Sequence, residues 1–295
     1  MPLNSYVLVT AGRNESAYIE GLIDCIAAQT VRPARWIIVD DGSTDDTFAR
    51  ATARAAALPF IRVERMTDGR EWSFASQAFA AMHGCELLKD LPYEFLGFLD
   101  ADIRVEPAYY ENLLSRLKAD PQLGLCGGAV LDQYPNRIVD SRAGAEDYHV
   151  AGGVQFFRRK CFEDVGGHHP IDGGGQDTIA DIMAMMHGWK IRVFPELKTL
   201  HLRPDGFSKD NVFRRGMKWG RKFYLIGYHP LYYLGQCIRR IGQRPFMIAS
   251  LCQLFGFAVA TIKAEPRPVP TDFVRFLRKL QMRRLKDRFL HNGRT

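Results

Sequence analysis

A short apolar run that ends in two carboxylates is the strongest constraint on this chain. Residues 95–99 read FLGFL, and Asp100 and Asp102 follow in D-x-D spacing. An apolar run of this length, bounded by charge, is typical of a strand buried on both faces of a parallel sheet. Open α/β sheets bind ligands beyond the carboxyl ends of their strands. We therefore expect both acids at a binding edge, with a divalent cation between them; a pair of solvated loop acids is the alternative.

Strand and helix patterns alternate through the first two hundred residues. The runs YVLV, WIIV and IRV predict strands at 6–9, 36–39 and 61–63, and the segments between them carry apolar residues at helical spacing. The pattern predicts an α/β fold, a mostly parallel sheet with helices on both faces. Helix starts are expected near Ser16 and at Ser43 or Thr44. Later elements are expected as a helix from Pro107, a polar loop at 127–150, helices at 160–165 and 178–187, and a strand at 190–194.

Charge is divided unevenly along the chain, whose net charge is +7. Residues 1–202 contain 20 Lys and Arg against 28 Asp and Glu, whereas residues 203–295 contain 20 against 5. Such a basic tail indicates contact with an anionic surface, and nucleic acid and anionic lipid both fit. The six cysteines form no C-x-x-C pair, which favours a reduced, cytosolic chain over a disulfide framework.

Acidic residues also follow the second predicted strand. The run DDGSTDDT at 40–47 fits a strand end, a turn and a capped helix start. Asp40 and Asp41 exceed what capping requires, because Ser43 and Thr44 already supply capping hydroxyls. A carboxylate at this edge can accept hydrogen bonds from a base or from ribose hydroxyls. The structural and the functional interpretations are compatible with each other.

Taken together, VDDGSTDDT, the upstream Thr10 with Asn14-Glu15, and LDAD at 99–102 resemble family 2 glycosyltransferases of the GT-A fold. The resemblance covers about residues 4–205 and implies inverting transfer from a nucleotide-diphosphate sugar with Mg²⁺ or Mn²⁺. Arg70 matches a basic residue that often faces the nucleotide in this family, and a solvated surface arginine is the alternative. The donor nucleotide site implied by the resemblance consists of Thr10, Ala11, Glu15, Asp40, Asp41, Arg70, Asp100, Ala101 and Asp102.

The family usually carries its catalytic acid in a Glu-Asp pair at the head of a helix, and here the pair reads Gln176-Asp177. The resemblance implies that Asp177 takes the proton from the acceptor hydroxyl, and a helix N-cap is its alternative role. Gly153 would let another group approach the backbone closely. Gly153 and Gln176 are both candidate contacts for the diphosphate or the acceptor. His201 would complete the metal site with Asp102, unless it is structural.

Two histidines and a basic segment complete the candidates. His168 and His169 have no partner at metal spacing and are interpreted as loop residues. The segment RRGMKW at 214–219 is similar to the Q-x-x-R-W signature of processive family 2 synthases, with substitutions that argue against processivity. Its cations could stabilise the departing diphosphate, and its tryptophan could stack on a sugar or pack. These candidate contacts are Arg215, Lys218 and Trp219.

The C-terminal region suggests a membrane partner. Residues 245–262 carry no charge and would span about 27 Å as a helix, short of the roughly 30 Å hydrocarbon core. An interfacial or re-entrant segment is favoured over a crossing, and a buried helix is the alternative. A helix from Thr271 combines apolar residues with seven cations, which is typical of a helix on an anionic membrane. Packing on the catalytic domain or on a partner subunit is its alternative.

We therefore expect two domains, a GT-A catalytic domain at 1–205 and a helical, basic, membrane-associating region at 206–295. The expected protein is cytoplasmic, peripheral or monotopic on the inner face of the cell membrane. It would use a lipid-linked saccharide acceptor in bacterial surface-polysaccharide or glycolipid synthesis. No nucleic acid partner is expected, and a homo-oligomer stays open. The alternatives are a sugar nucleotidyltransferase and a non-catalytic membrane or nucleic-acid binding protein.

Overall fold

Nine strands and ten α-helices make up the described chain. The computed structural model describes residues 5–67, 73–140, 149–171, 174–203, 211–239 and 247–292. The strands are β1 (Tyr6–Gly12), β2 (Arg35–Asp40), β3 (Ile61–Arg65), β4 (Phe95–Phe98), β5 (Ile103–Val105), β6 (Leu123–Tyr134), β7 (Arg137–Asp140), β8 (Phe156–Arg158) and β9 (Lys190–His201). The helices are α1 (Ile19–Ala27), α2 (Thr47–Ala55), α3 (Phe74–Glu86), α4 (Tyr109–Ala119), α5 (Arg159–Val165), α6 (Gln176–Met186), α7 (Val212–Ile226), α8 (Pro230–Arg239), α9 (Ile248–Ile262) and α10 (Thr271–Asn292).

The strands form one sheet in the order β3-β2-β1-β4-β8-β6-β9-β5, with β7 paired to β6. The expected α/β class is confirmed, and β3, β2, β1 and β4 are all parallel. Beyond β4 the pairing is mixed, because β8 runs antiparallel to both β4 and β6, and β5 runs antiparallel to β9. The parallel half brings the carboxyl ends of β1, β2 and β4 to one edge, where the acids predicted from the sequence follow.

The expected polar loop from residue 127 is wrong for the described part of that segment. Residues 123–134 form β6, whose first eight residues are buried, and β7 folds back on it as a hairpin. A Cβ at Gly128 would overlap the carbonyl oxygen of Leu197, and one at Gly127 would come within 2.7 Å of that of Val154. Glycine is therefore required here by close backbone packing within the sheet rather than by a loop.

The helix starts also differ from the prediction. Helix α1 begins at Ile19 and α2 at Thr47, each about three residues late. The Asp45 carboxylate accepts hydrogen bonds from the backbone N–H groups of Thr47 and Ser16, and the Ser43 hydroxyl accepts one from the Asn14 amide at 2.9 Å. The side chains of Asp45 and Ser43 thus join the loop that follows β2 to the loop that follows β1. This cross-linking holds the binding edge together.

Three further boundaries shift. Helix α4 begins at Tyr109, two residues after the expected Pro107, and α6 begins at Gln176 rather than at residue 178. Strand β9 continues to His201 because its second half pairs with β6 and β5. The extension carries His201 to the edge beside Asp102.

The chain divides into two compact units. The first comprises Met1–Asp172 with Gln176–Gly206, and the second comprises Phe207–Thr295 with Gly173–Gly175. The division lies close to the domain boundary expected after residue 205. The core of the first unit surrounds the sheet, and its largest fully buried side chains include Trp36, Tyr6 and Phe156.

The second unit is a helical bundle built on close packing of α7 against α9. A Cβ on Gly220 would overlap the carbonyl oxygen of Gln253, and one on Gly256 would overlap that of Met217. Helix α10 packs into the same unit through Phe273 and Leu277, which are 0% and 1% exposed. None of the described helices combines the length and the apolar character that a membrane crossing requires.

Candidate active site

The acids that follow β2 are buried at the carboxyl edge of the parallel strands. Asp40 is 2% exposed and Asp41 is 5% exposed. One Asp40 oxygen accepts the Ser43 amide at 3.3 Å, and the other lies 3.3 Å from the guanidinium of Arg65. The Asp41 amide donates to the Gly12 carbonyl at 2.9 Å, which ties the ends of β1 and β2 together. Both predicted nucleotide acids therefore stand at the expected edge.

Thr10 is fully engaged by the protein. Its hydroxyl donates to the Leu99 carbonyl at 2.7 Å and accepts the indole N–H of Trp36 at 3.1 Å, so it links β1 to β2 and to the residue that follows β4. Ala11 lies in the ladder opposite Val39, and Ala101 is buried at the same edge. Thr10 and Ala101, but not Ala11, line a small cleft. The cleft is lined by Thr10, Gly12, Glu15, Ile19, Ile38, Val39, Asp40, Thr47, Ala51, Val63 and Ala101.

The two acids of the D-x-D sequence have opposite electrostatic environments. Desolvation raises the pKa of Asp100 to about 7, and the charge of Asp102 adds to this effect. Burial also acts against ionisation of Asp102, but His201 and Arg203 outweigh it and lower its pKa. Asp102 is consequently the charged member of the pair at neutral pH, and mutual repulsion is relieved because Asp100 is partly protonated.

His201 lies between two carboxylates. Its Nδ1 is 2.8 Å from Asp132, and its Nε2 is 3.6 Å from Asp102. Burial acts to lower the pKa of His201, but the hydrogen bonds and charges of the two acids raise it to about 9. The Asp132 contact holds one ring nitrogen and turns the other toward Asp102. A carboxylate behind an imidazole in this way is the usual support of a metal-binding histidine.

Arg203 is the site residue that the sequence reasoning missed. Its guanidinium lies 2.5 Å from Glu15 and 3.0 Å from Asp102, and it stacks over the Tyr18 ring at 5.5 Å. Burial raises the pKa of Glu15 to about 7, although Arg203 acts in the opposite direction. Because Glu15 and Asp102 are both far from Arg203 in sequence, no local pattern pointed to it. The position two residues after His201 was the available signal.

The donor set fits a divalent cation that takes its other ligands from phosphate and water. Within the described ranges, no group of three or more His, Cys, Asp or Glu side chains is arranged to hold a metal ion. Asp102 and His201 nevertheless converge, and Asp132 orients the imidazole. Mg²⁺ and Mn²⁺ favour oxygen ligands, and Mg²⁺ commonly uses one or two carboxylates plus substrate phosphates. Two protein ligands are therefore compatible with such a site.

Asp177 lies in the first turn of α6, one residue inside the helix start. Its Oδ1 accepts the Thr178 amide at 2.7 Å, and its carbonyl accepts the side-chain amide of Gln155 at 3.4 Å. The neighbouring Gln176 has a buried Oε1 without a hydrogen-bond partner in the described part of the chain. The His149 Nε2 stands 3.7 Å from Asp177 Oδ2. Asp177 therefore lies inside the helix rather than at the N-cap position that precedes it, and its carboxylate lies beside a histidine.

Two glycines bring Asp177 and Asp100 to one place. Gly152 and Gly153 form a single 3₁₀ turn before β8. A Cβ on Gly152 would lie 3.4 Å from the Asp177 Cβ, and a Cβ on Gly153 would lie 2.5 Å from an Asp100 carboxylate oxygen. Asp177 and Asp100 therefore flank the same backbone turn. The acid expected to act as base is thus brought close to Asp100, one of the acids expected to hold the donor.

The remaining predicted contacts are not brought into this site by the described contacts. Arg215, Lys218 and Trp219 lie on α7 in the second unit, where Trp219 is 39% exposed. Arg70 lies outside the described residues. Their roles stay predictions. His168 lies in a loop, as expected, and its buried ring stacks on Phe98 at 4.1 Å, with Nε2 2.9 Å from the side-chain oxygen of Gln155.

Comparison with known proteins decides the family. The family model described as Glycosyl transferase family 2 matches residues 7–166, more than half of the chain. The chain belongs to glycosyl transferase family 2. This confirms the resemblance carried by residues 10–15, 40–47 and 99–102, and it favours a glycosyltransferase over a sugar nucleotidyltransferase. No curated protein matches the chain.

Solved structures of two glycosyltransferases are similar to this family 2 chain. Mannosyltransferase PcManGT from Pyrobaculum calidifontis, in complex with GDP-Man and Mn²⁺, is 18% identical, with a TM-score of 0.58, 90% of this chain covered and 76% of that chain covered. TarS 1-349 from S. aureus is 13% identical, with a TM-score of 0.56 and coverages of 86% and 70%. Its complex with UDP-GlcNAc has the same identity and TM-score, with coverages of 92% and 78%. These similarities show that the chain has the GT-A fold.

Proposed function

We propose that this glycosyltransferase moves a sugar from a nucleotide-diphosphate sugar to an acceptor hydroxyl with inversion at the anomeric carbon. The observation that carries the proposal is the placement of Asp177 and Asp100 on either side of the Gly152-Gly153 turn. Inverting transfer needs one carboxylate that removes the acceptor proton beside the bound donor. Asp177 is a partly exposed carboxylate at that position, with its side chain 25% exposed.

The donor nucleotide is assigned to the carboxyl edge of β1, β2 and β4. Asp40 and Asp41 would accept hydrogen bonds from the base or the ribose, and Asp100 would face the ribose. Thr10 and Ala101 line the small cleft and Ala11 lies in the β1 ladder, so none of these side chains offers a free polar group to the donor. Gln176 and the Gly153 backbone are assigned to the diphosphate or the acceptor. The α7 cations Arg215 and Lys218, with Trp219 and Arg70, are further candidates on sequence grounds.

Asp102 and His201 would hold a divalent cation, Mg²⁺ or Mn²⁺. When bound, that cation would neutralise charge on the leaving diphosphate. The similar structure of PcManGT is a complex with GDP-Man and Mn²⁺, which supports the use of a divalent metal. Asp132 would keep the imidazole of His201 in the orientation needed for binding. Arg203 would supply a second, permanent positive charge beside Asp102 and Glu15.

A family 2 enzyme of this kind would meet its acceptor at a membrane. In the second unit, α8 and α9 each present apolar side chains outward, and each of these side chains is more than 40% exposed. We call this set the α8–α9 apolar face. It consists of Leu231, Leu234, Ile238, Ile248, Leu251, Phe255 and Ile262. A set of this size, spaced along one side of each helix, is unusual on a protein that contacts water alone.

Charge complementarity selects an anionic lipid surface as the occupant of this face. Residues 203–295 carry 20 Lys and Arg against 5 Asp and Glu, so the apolar face lies in a strongly cationic region. The helix expected from sequence to lie on the membrane, α10, instead buries its apolar side. The proposal therefore keeps the interfacial segment expected at 245–262, which contains α9, adds α8 and no longer relies on α10. A lipid-linked saccharide in surface-polysaccharide or glycolipid synthesis, at the cytoplasmic face of the membrane, is the acceptor class that fits.

Loss of activity in Asp177→Asn tests the enzyme proposal. Release of nucleoside diphosphate from GDP-mannose, UDP-N-acetylglucosamine and the corresponding CDP and dTDP sugars is measured with Mn²⁺ and water as the acceptor. We expect a fall of at least a hundredfold with unchanged calorimetric affinity for the nucleotide. The exposed Glu163→Gln is the matched control and should keep full activity. Full activity in Asp177→Asn would reject the base, and nucleotide binding without turnover by the native chain would favour a non-catalytic protein.

Vesicle flotation tests the membrane surface. The full chain is mixed with phosphatidylglycerol or with phosphatidylcholine vesicles, and we expect binding to the first that weakens as salt is raised. The double variant Leu251→Gln/Phe255→Gln should lose at least tenfold in affinity. Ile138→Gln removes an equally exposed apolar residue from β7 and should change nothing. Equal binding by the double variant and the native chain would reject this face.

A further inference from the structure

A chain of three titratable side chains leads away from the Asp177 carboxylate. The His149 Nε2 lies 3.7 Å from Asp177 Oδ2, and the His149 Nδ1 lies 2.8 Å from Asp181 Oδ2. Asp177 and Asp181 are four residues apart, so they lie on the same side of α6. The imidazole therefore connects two carboxylates of one helix, and one of them is the proposed base.

Asp181 is an unusual residue for a helix interior. It is 0% exposed, and its Oδ1 has no hydrogen-bond partner in the described part of the chain. Besides His149, the backbone N–H of Val150 donates a hydrogen bond to its carboxyl group. Burying a carboxylate costs free energy unless it is paired, and stability alone gives no reason to place one here. Its pairing with His149 suggests a role in the reaction.

The Asp181 contact determines which nitrogen of His149 carries hydrogen. Above the Asp181 pKa of about 7 its carboxylate is ionised and only accepts hydrogen bonds, so the His149 Nδ1 then donates to it. A neutral imidazole has one N–H, and the Nε2 lone pair then faces Asp177. Asp181 thereby presents a proton acceptor to the proposed catalytic base.

We propose that His149, held by Asp181, is a positioning residue that receives the proton from Asp177 after each transfer. This inference rests on the proposed function. The acceptor O–H bond breaks as its oxygen bonds to the anomeric carbon, and the bond from that carbon to the diphosphate breaks with its electron pair leaving on the diphosphate. The proton passes to Asp177, then to the His149 Nε2, and then to water, because the His149 side chain is 30% exposed.

The distances and neighbours are consistent with this transfer. The gap between Nε2 and Oδ2 must shorten from 3.7 Å to about 2.9 Å for direct proton transfer. His168 also interacts electrostatically with Asp177, but burial lowers its pKa to about 4, so it is neutral at physiological pH. Gln155, which bonds the Asp177 carbonyl, carries no charge.

Protonation of the pair gives the reaction a pH dependence. Burial raises the pKa of Asp181 to about 7, the charge of Asp177 adds to this, and His149 opposes it. Below the pKa of the pair, His149 becomes an imidazolium held by Asp181 and has no lone pair to offer. Turnover should therefore fall on the acid side. Without the Asp181 charge, His149 binds its second proton more weakly, and the acid limb moves to lower pH.

Histidine NMR tests the geometry without any donor. The full chain is labelled at its eight histidines, and the His149 signal is assigned as the one lost in His149→Asn. We expect hydrogen on Nδ1 at pH 8 and a fall of at least tenfold in the proton affinity of His149 in Asp181→Asn. Hydrogen on Nε2, or an unchanged titration, would overturn the inference. His187→Asn, which replaces an exposed histidine just beyond α6, is the control and should leave the His149 signal and its titration unchanged.

Kinetics test the role in turnover, with GDP-mannose or UDP-N-acetylglucosamine as donor and water as acceptor. His149→Asn keeps an N–H for Asp181 but has no atom at the Nε2 position. It should lower kcat at least tenfold with the donor KM within twofold. His149→Ala should be rescued by added imidazole, and more strongly as neutral imidazole increases with pH. Native kcat in His149→Asn, or no rescue of His149→Ala, would overturn the inference.

The two proposals fail separately. Full activity in Asp177→Asn rejects the proposed base and with it the relay. An inactive Asp177→Asn together with native kcat and a native pH profile in His149→Asn rejects the relay alone. Should Asp181→Asn unfold, His149→Asn still decides the matter, because its thermal unfolding is checked against that of the native chain.

Discussion

At the scale of single residues, the surroundings of each acid in the site determine whether its charged or its neutral form is favoured. Asp102 is charged beside His201 and Arg203, whereas desolvation favours the neutral forms of Asp100 and Asp181. Groups with strongly shifted pKa values often mark functional sites, since they are costly to keep elsewhere. These three acids lie near the two places where the proposed reaction needs a cation and a proton acceptor.

Removing the carboxylate behind His201 should weaken metal binding. Asp132→Asn leaves both proposed ligands, Asp102 and His201, in place. It removes the charged carboxylate that accepts a hydrogen bond from the His201 ring. We expect a 10- to 100-fold loss of Mn²⁺ affinity, as for other supporting carboxylates. Electron paramagnetic resonance of Mn²⁺ with the full chain and GDP measures this without turnover. Asp164→Asn, far from His201 in the sequence and paired with Lys160, should bind Mn²⁺ normally. Equal affinities in Asp132→Asn and the native chain would contradict the assignment.

Removing the Asp181 charge should stabilise the protein at high pH. Its folded pKa of about 7 exceeds the unfolded value of about 3.9, so the folded state disfavours the ionised form. The penalty is absent below the unfolded pKa, grows as pH rises through this window, and stays constant above pH 7. Asp181→Asn should raise the free energy of unfolding at pH 8 by on the order of 1–3 kcal/mol, with His149 pairing reducing the gain.

Urea unfolding at two pH values checks this prediction. The gain of Asp181→Asn over the native chain should shrink to below about 1 kcal/mol near pH 4.5, where most of the penalty has gone. An equal gain at both pH values would show that charge is not the cause. A variant that is more stable yet slower would fit a residue kept for the reaction rather than for the fold.

At the scale of elements, the sequence predicted β1, β2 and β4, because each contains a short apolar run, and the runs of β2 and β4 end directly at the acids. It failed at β6, where the polar segment from residue 127 suggested a loop although Gly127 and Gly128 lie where the backbone packs too closely for side chains. Partners distant in sequence were also hidden. Arg203 reaches Glu15, and His149 reaches Asp181, through the fold alone. Local periodicity carries no information about such pairs.

The close contact of α7 and α9 makes a prediction about the second unit. In Gly220→Ala the new Cβ would overlap the Gln253 carbonyl oxygen, which belongs to a helix backbone and cannot rotate away. The helices must separate, and we expect a loss of at least about 2 kcal/mol in the free energy of unfolding.

Gly235 offers a matched control for this experiment. It lies in α8, and a Cβ there would meet its nearest neighbour, Leu285, at 4.0 Å. Gly235→Ala should therefore be neutral or stabilising by about 0.5–1 kcal/mol, since alanine favours the helix. Thermal unfolding followed by circular dichroism compares the two variants. Similar behaviour of both would contradict the close packing of α7 on α9.

At the scale of the whole molecule, chemistry and charge are divided between the two units. The first unit holds the acids of the donor edge and Asp177, and the second holds most of the excess positive charge and the α8–α9 apolar face. This division fits an enzyme that takes its donor from water and its acceptor from a lipid surface. The roles proposed for Asp177 and for the acids that follow β2 and β4 rest on residues of the first unit. An active enzyme that ignores vesicles would therefore leave that transfer chemistry intact and would reject the membrane surface.

The configuration of the first sugar product tests the central claim most directly. Full-length protein with Mn²⁺ and whichever α-linked donor it turns over, GDP-mannose or UDP-N-acetylglucosamine among them, is followed by proton NMR from the first seconds. A single carboxylate acting as base on water or on an acceptor hydroxyl predicts the β-anomer as the initial product. Initial appearance of the α-anomer would contradict the account, because it requires either a covalent intermediate or attack from the donor's own face.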